Sequence, residues 1–425
     1  MNKSKKFLLF FFIVFSGTAY AQDTIRVMHY NMLYYGKNIF GCNDTTNSIA
    51  SKDSCLKKIV KFVKPDILTA NEMSPQDSMH QRILDRVLNT EGITHFKRGA
   101  LTNLSNDISV NDVFYNSDKL EILSQHSIPT LYRDINIYNF YYKSWDLEST
   151  NDTAFLTCIV VHLKAGSTPS DSLKRIEQTT ILMAYLDSLN IKANYLLSGD
   201  FNVYTGDEQC FQNLVNDINA GIRFYDPVNM VRDWHADITY SNYHTQSTHR
   251  TGNGCHTSGG LDDRFDFILQ SKYIKDGTDH MKYINGSYKA IGQDGNHFNL
   301  AVNEGTTNTS APAEVTNALY LMSDHLPVSM DLLIDQKHVN TEIPEVLFPN
   351  PVTDMLYLSI NSDSVSKLEF SIINILAQTV YSCSRETSGT YDTFGFPVDF
   401  LSQGVYILRI SDGKNKPVGR KFFKR

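Results

Sequence analysis

The stretch Leu196-Leu197-Ser198-Gly199-Asp200-Phe201-Asn202-Val203 joins an apolar run to two small polar side chains set two residues apart. The run from Tyr195 to Leu197 reads as a buried strand that Gly199 ends. On an extended backbone, positions i and i+2 share a face, so Asp200 and Asn202 project together from a rigid strand end. A carboxylate there can coordinate a hard cation or take a proton. A neighbouring amide can hold a phosphate or water oxygen. A strand followed by an Asp/Asn turn has the same appearance, so the rest of the chain must decide.

The pattern recurs. Asn31 lies at the end of an alternating strand from Thr24, Glu72 closes the run from Asp66, and His162 closes the apolar run from Ala154. Asp266 opens a strand running to Leu269, with Arg264 two residues earlier on the same face. Asp324 and His325 stand at the entrance of an apolar strand that reaches Ile334. An unpaired charge at a buried strand end is costly, so each such residue is either satisfied within the core or used. Taken together, Asn31, Glu72, His162, Asp200, Asn202, Asp266, Asp324 and His325 are all carboxylates, amides or imidazoles. One cleft explains them all. Oxygen ligands would hold a single Mg²⁺-like ion, which keeps waters and phosphate oxygens in its shell. Two histidines suit phosphate chemistry, one stabilising oxygens and one donating a proton.

The elements that must position these residues alternate without visible repeats. Helical spacing covers Cys55–Val63, Gln76–Leu88, Ser170–Leu189 and Glu208–Ile218. Asp112–Tyr115 and Leu120–Ser124 read as a hairpin, and Asn136–Tyr142 as an aromatic-rich antiparallel strand. Strands alternate with helices, yet several strands are near neighbours. The expectation is two mixed sheets packed face to face with helices outside, not a doubly wound parallel sheet. From Asp226 to Gly260 the chain is polar and irregular. His235, His244, His249 and His256 lack the tight spacing of a zinc site, so the stretch reads as a solvated loop over the cleft. Thr245-Gln246-Ser247-Thr248 and Arg250 are its candidates for touching an anionic substrate, with Arg264 a further one.

At 425 residues the chain exceeds one typical domain. Lys3, Lys5 and Lys6 precede an apolar run from Phe7 to Phe15 and a small-x-small site, Ala19-Tyr20-Ala21, which reads as a secretory leader over 1–21. The formal charge of −7 includes those lysines, so the remainder is more acidic still, which argues against a broad polyanion-binding face. The six cysteines are free to form disulfides in an exported chain; proximity suggests Cys42 with Cys55 and Cys210 with Cys255. Cys158, inside an apolar strand, reads as buried and inert.

Asn31, Pro65-Asp66-Ile67 through Glu72, His162, Gly199-Asp200-Phe201-Asn202, Arg264-x-Asp266 and Ser323-Asp324-His325 resemble, in order, the motifs of the endonuclease/exonuclease/phosphatase superfamily. That superfamily includes DNase I, exonuclease III-type repair nucleases, inositol-polyphosphate phosphatases and bacterial sphingomyelinases. The resemblance spans Thr24 to about Leu333; Asn71 stands where members usually carry Gln, and the Asp226–Gly260 loop is long. It implies an α+β fold, a four-layer α/β/β/α sandwich over 22–335. It implies that Glu72, with Asn31 and Asp324, places Mg²⁺, with Mn²⁺ or Ca²⁺ as alternatives. Asp200, helped by Asn202, would orient or deprotonate a water. His325, held by Asp266, would contact the phosphate, and His162 would sit at the general-acid position.

A polar linker, 336–344, precedes a short-strand β tail over 345–425. Its opening Leu347-Phe348-Pro349-Asn350-Pro351-Val352, its Gly404-Val405-Tyr406-Ile407-Leu408-Arg409 strand and its basic end resemble the C-terminal sorting domain of type IX secretion. A small all-β sandwich and export to the medium or cell surface are implied. The leading function is an extracellular nuclease acting on DNA or RNA. The alternatives are a phosphatase or sphingomyelinase-like lipid phosphodiesterase, and a non-catalytic surface-binding protein on the same scaffold.

Overall fold

The computed structural model describes residues 23–144, 147, 153–189, 193–334, 351–361, 367–376, 378–388, 391–411 and 418–425. The leader and the linker lie outside these residues. The chain divides into two compact units, Met1–Gln336 and Lys337–Arg425.

In chain order the body runs β1 (Asp23–Tyr35), α1 (Ile49–Val63), β2 (Ile67–Met73), α2 (Asp77–Ile83), β3 (Phe96–Arg98), β4 (Val110–Asn116), β5 (Leu120–Ile128) and β6 (Ile135–Tyr142). It continues β7 (Phe155–His162), α3 (Pro169–Leu189), β8 (Tyr195–Asp200), α4 (Gln209–Val215), β9 (Phe224–Tyr225), β10 (Asp266–Ser271) and α5 (Lys272–Asp276). It ends β11 (Met281–Tyr283), β12 (Lys289–Ala290), α6 (Ala313–Met322) and β13 (Val328–Ile334). One sheet has the order β11-β13-β1-β2-β4-β3, with β12 also on β13; the other is β5-β6-β7-β8-β10-β9. Only β1–β2 and β7–β8 are parallel pairs; the other pairings of these two sheets are antiparallel.

Three apolar layers hold the body together. Between the sheets, Val27, Val113 and Met330 of the first meet Phe140, Leu196 and Ile268 of the second. Outside the first sheet, Leu56 and Ile59 of α1 and Leu319 of α6 pack on Met28, Tyr30 and Leu68. Outside the second, Leu182 and Leu186 of α3 and Phe211 of α4 pack on Ile159, Leu197 and Phe267. The body is therefore a four-layer α/β/β/α sandwich. Alternation along β1 explains the assignment: Met28 and Tyr30 face the helices, while Val27 faces the second sheet.

The expected hairpin does not form. β4 pairs with β2 and β3, whereas β5 pairs with β6 in the other sheet. The tight turn, with Lys119 N–H donating to Asn116 O, carries the chain from one sheet to the other. Sequence proximity alone does not reveal that step.

The second unit begins with β14 (Met355–Asn361), which pairs with β17 (Tyr391–Pro397). Its four-stranded sheet orders β16 (Thr379–Glu386), β15 (Lys367–Asn374), β18 (Gly404–Ser411) and β19 (Val418–Lys424). Leu356, Leu358, Phe370, Phe396, Leu408 and Phe422 form one core between the two sheets, a small β-sandwich.

Candidate active site

The carboxylates collect where β1, β2, β7 and β8 end side by side. Asn31 is in register with Asn71 across β1–β2, and His162 with Asp200 across β7–β8. Gly199 permits the second pairing: a Cβ there would lie 2.0 Å from Val161 O, so only glycine lets β8 lie so close to β7. Both first-sheet strands bulge at this end, between Asn31 and Tyr35 on β1 and between Ala70 and Met73 on β2. Leu33, Tyr34 and Glu72 adopt left-handed backbone, Glu72 with φ 56°. Bulges re-aim side chains at strand ends, and a non-glycine residue held at positive φ marks a conformation imposed by its surroundings.

Hydrogen bonds then lock the cluster. Asn31 Nδ2 donates to Glu72 Oε1 at 3.1 Å and to Asp200 Oδ2 at 3.0 Å. Asp200 Oδ1 accepts the Asn202 N–H at 3.0 Å, and the Asp200 N–H donates to Asn71 Oδ1 at 2.9 Å. Asn71 thus ties the two sheets together from the position where the resemblance leads one to expect Gln. His162 Nε2 lies 3.5 Å from Asp200 Oδ2 and 3.7 Å from Glu72 Oε1. Asn202, in left-handed backbone, turns its own amide to Leu163 O at 3.2 Å.

A second group adjoins the first. His325 Nδ1 lies 2.7 Å from Asp266 Oδ2, and His325 Nε2 lies 3.7 Å from Asp200 Oδ2 and 2.6 Å from the Gln246 amide nitrogen; a charged ring needs that amide turned to present its oxygen. Asp324 Oδ2 accepts the Thr257 N–H at 2.8 Å. Lys52, fully buried on α1, donates to Met32 O at 2.8 Å and Met322 O at 2.5 Å, joining the β1 end to the end of α6.

The electrostatics follow from burial. Burial raises the Glu72 carboxyl above its usual range, and neighbouring Asp324 raises it further. Asp200 is pushed the same way, above all by burial; His325 and Asn31 pull it down, and Asp266 and Glu72 push it up. For His325, burial opposes the charge, but Asp266 and Asp200 outweigh it and hold the imidazolium. His162 is held well below its ordinary value by burial, Arg133 and the neighbouring histidines, and is neutral. Burial pushes the Lys52 amine down to about 7 against the pull of Asp324 and Glu72. Burial and crowding thus disfavour the charged form of both carboxylates. Ligand atoms of Glu72, His162 and Asp200 all lie within 4.8 Å of one another, and Glu72 Oε2 is buried without a hydrogen-bond partner. The carboxylate oxygens are of the kind a divalent cation takes, whereas the imidazole is a donor that hard cations do not favour.

Of the three candidates for touching substrate, two are buried and one is exposed. Arg264 is 1% exposed; its guanidinium donates to both oxygens of Asp226 at 2.9 and 2.8 Å and lies over the Phe267 ring. It braces the fold, because a buried guanidinium must be paired. Thr248 is fully buried, its hydroxyl donating to Ser323 O at 2.6 Å, so it positions the Asp324 segment from beneath. Arg250 is exposed and paired with Glu304 at 2.8 Å.

The loop expectation also changes. His244, Thr245, Ser247, Thr248 and His249 are buried, because this segment packs across the sheet ends, and Gln246 bridges to Asp263 and His325. The expected cysteine pairs do not form: Cys42 is bonded to Cys255, while Cys55 and Cys210 are free and buried. Cys55 faces the α1 core and Cys210 the α4 core, so their proximity in sequence brought no partner. Cys158 is buried and free as expected. Sequence reading passed over Asn71, Lys52 and His29 as site residues; the signal available for His29 was its place two residues before Asn31, on the same strand face.

Residues 346–425 match the family described as a secretion system C-terminal sorting domain. No curated protein matches the sequence. The structure is similar to that of an endonuclease/exonuclease/phosphatase family protein from Bacteroides thetaiotaomicron, at 14% identity over 75% of this chain and 98% of that one, TM-score 0.46. It is also similar to an endonuclease/exonuclease/phosphatase from Bacteroides vulgatus, at 13% identity over 74% and 100%, TM-score 0.47. A third likeness is the human Nocturnin catalytic domain with bound sulfate anion, at 14% identity over 73% and 97%, TM-score 0.44.

Proposed function

We propose that the body is a divalent-metal-dependent phosphoester hydrolase, exported by the type IX route through its C-terminal unit, and that its substrate is a nucleic acid. The observation that carries the reading is the buried convergence of Glu72, Asp200 and His162 beside the Asp266–His325 pair. Glu72 and Asp324, with Asn31, would hold the cation, which when bound would neutralise charge developing on the phosphoryl oxygens. Asp200, fixed at both oxygens by Asn31 and Asn202, orients the attacking water and takes its proton. The His325 imidazolium, steadied by Asp266, binds a non-bridging oxygen. His162 offers a ring nitrogen at the same centre, and an alkoxide leaving group, as in a nucleic acid diester, needs a hydrogen-bond donor.

The test is a substrate panel: plasmid DNA, RNA, sphingomyelin and inositol phosphates, each with Mg²⁺ and with EDTA. Cleavage of DNA or RNA that EDTA abolishes supports the reading in full. Release of phosphocholine or inorganic phosphate instead keeps the chemistry and overturns the nucleic acid. Turnover of none of them, with Mg²⁺ or Mn²⁺, overturns the hydrolase.

A further inference from the structure

Behind the Asp266–His325 pair, in the layer between the two sheets, lies a third imidazole. His29 of β1 is fully buried. Its Nδ1 is 3.0 Å from Thr69 Oγ1, the residue in register with it on β2, and Thr69 Oγ1 is 2.9 Å from Ser198 Oγ on β8. Its other nitrogen, Nε2, is buried with no hydrogen bond of good geometry, with the Asn71 side chain also close to the ring. Asp266 Oδ1, the carboxylate oxygen that His325 does not use, is likewise buried with no hydrogen-bond partner. These two atoms face each other at 3.8 Å.

Two unpartnered buried polar atoms facing one another at that distance call for one hydrogen bond between them, since buried donors and acceptors are almost always paired. The tautomer decides whether they can form it. If Ser198 donates to Thr69 and Thr69 donates to His29 Nδ1, the ring proton sits on Nε2 and points at Asp266 Oδ1. In the opposite assignment a bare nitrogen would face a carboxylate oxygen, lone pair against lone pair. Thr69 and Ser198 also have carbonyls at 3.5 Å, Met28 O and Ile159 O, so the choice rests on the facing pair, and only the first assignment satisfies His29 Nε2 and Asp266 Oδ1.

We infer that His29 is a positioning residue for His325. A sub-ångström closure lets His29 Nε2–H grip Asp266 Oδ1, so the carboxylate is held between two imidazoles, one serving the reaction and one anchored in the sheet interface. The grip fixes the rotation of the Asp266 carboxylate. That in turn fixes the plane of the His325 ring and keeps its Nε2 aimed at the phosphate position. Partners behind metal-ligating histidines are worth about 10- to 100-fold in metal affinity or activity, and a grip on Asp266 is expected to matter on the same order here.

The effect on rate rests on the hydrolase reading; the grip does not, so it is read separately. In the full chain without substrate, the proton shared by His325 Nδ1 and Asp266 gives a far-downfield NMR signal, assigned by its loss in His325→Ala. His29→Leu removes the donor at similar volume. His29→Gln keeps an N–H for Asp266, and Thr69→Val removes the hydroxyl that sets the tautomer while conserving shape. The expected result is that His29→Leu and Thr69→Val broaden or abolish the signal and lower kcat about 10-fold or more with KM little changed, while His29→Gln restores both. Signal and kcat unaltered in Thr69→Val and in a folded His29→Leu overturn the inference. If no substrate is turned over but the signal depends on His29, the hydrolase reading fails and the grip stands.

Discussion

Arg264 and Asp226 meet face to face inside the protein, each guanidinium NH₂ group donating to one carboxylate oxygen, at 2.9 and 2.8 Å, and neither side chain more than 1% exposed. The pair joins the segment after β9 to the residue two before Asp266, so it holds the entrance of the strand that carries the site. Asp226→Asn leaves a buried guanidinium without its counter-charge, and breaking such a pair costs about 3–5 kcal/mol. The expected outcome is a markedly lower melting temperature for Asp226→Asn. An unchanged melting temperature would show that the pair contributes no net stability.

The same pair sets a pH dependence. Burial alone would raise the Asp226 carboxyl, but the Arg264 guanidinium outweighs it and holds the carboxyl below its ordinary value. A carboxylate depressed in the folded state contributes stability that is complete above its unfolded value, about pH 3.9, and is lost as pH falls through the folded one. In wild type this contribution therefore holds at pH 5 and disappears only below about pH 4. Denaturant melts of wild type and Asp226→Asn should differ by the same amount at pH 5 and pH 8 and converge in stronger acid. A gap that already closes between pH 8 and pH 5 contradicts the assignment.

Asp200→Asn keeps the shape of the cluster and deletes one of its crowded charges. The variant's single amide oxygen can keep the Asn202 N–H, while its NH₂ group replaces the oxygen that the Asn31 amide used, so the protein folds at the cost of one hydrogen bond. Hydrolysis should fall by on the order of 10²-fold or more, because the side chain can no longer take a proton from water. The melting temperature in EDTA should be no lower than that of wild type, since burial disfavours the charge that has gone by more than its attraction to His325 favours it. His325→Ala should lose activity to a similar extent through a missing oxygen contact. Near-normal turnover in either variant removes the role given to that residue.

Mg²⁺ should stabilise the fold through the same carboxylates. A ligand at 100 times its dissociation constant adds about 2.7 kcal/mol when it binds only the folded state. The melting temperature should therefore rise with added Mg²⁺, and Glu72→Gln should flatten that rise while folding normally in EDTA. A rise of equal size in Glu72→Gln would place the cation elsewhere.

The sequence carried the layer order and the strand-end residues because both depend on local pattern: apolar alternation, and a polar side chain closing each run. Glu72, His162, Asp200 and Asp266 stand at or beside strand ends, Asn31 at the bulge near the end of β1, and Asp324 and His325 just ahead of β13. Arg264 misled because its charge and its i−2 relation to Asp266 look the same whether it faces solvent or Asp226. The histidines at 244 and 249 misled because a polar stretch without periodicity reads as solvated, whereas here it packs across both sheets. The β4-to-β5 switch and the Cys42–Cys255 bond were not legible because each depends on contacts between segments that local pattern does not rank. His29 was legible only in part: its strand face follows from alternation, its partner Asp266 from the packing of the sheets.

The Cys42–Cys255 bond reaches the site through two residues of chain. Cys42 lies in the loop after β1, and the neighbouring Gly41 sits so close to the other segment that a Cβ would fall 1.9 Å from Gly254 O. Two residues beyond Cys255, the Thr257 N–H holds Asp324 Oδ2 at 2.8 Å. The bond joins points 213 residues apart, and the loop-entropy model allows at most about 5 kcal/mol for such a closure, with measured gains often smaller. Cys42→Ser with Cys255→Ser should therefore lower the melting temperature, and it should also weaken Mg²⁺ binding by calorimetry, because the Thr257 amide no longer fixes Asp324. Restoring Mg²⁺ affinity by oxidising a reduced wild-type sample, with no effect of the same treatment on the double variant, ties the change to this bond. If the double variant binds Mg²⁺ as tightly as wild type, the disulfide serves the fold alone and the path from Cys255 to Asp324 carries nothing.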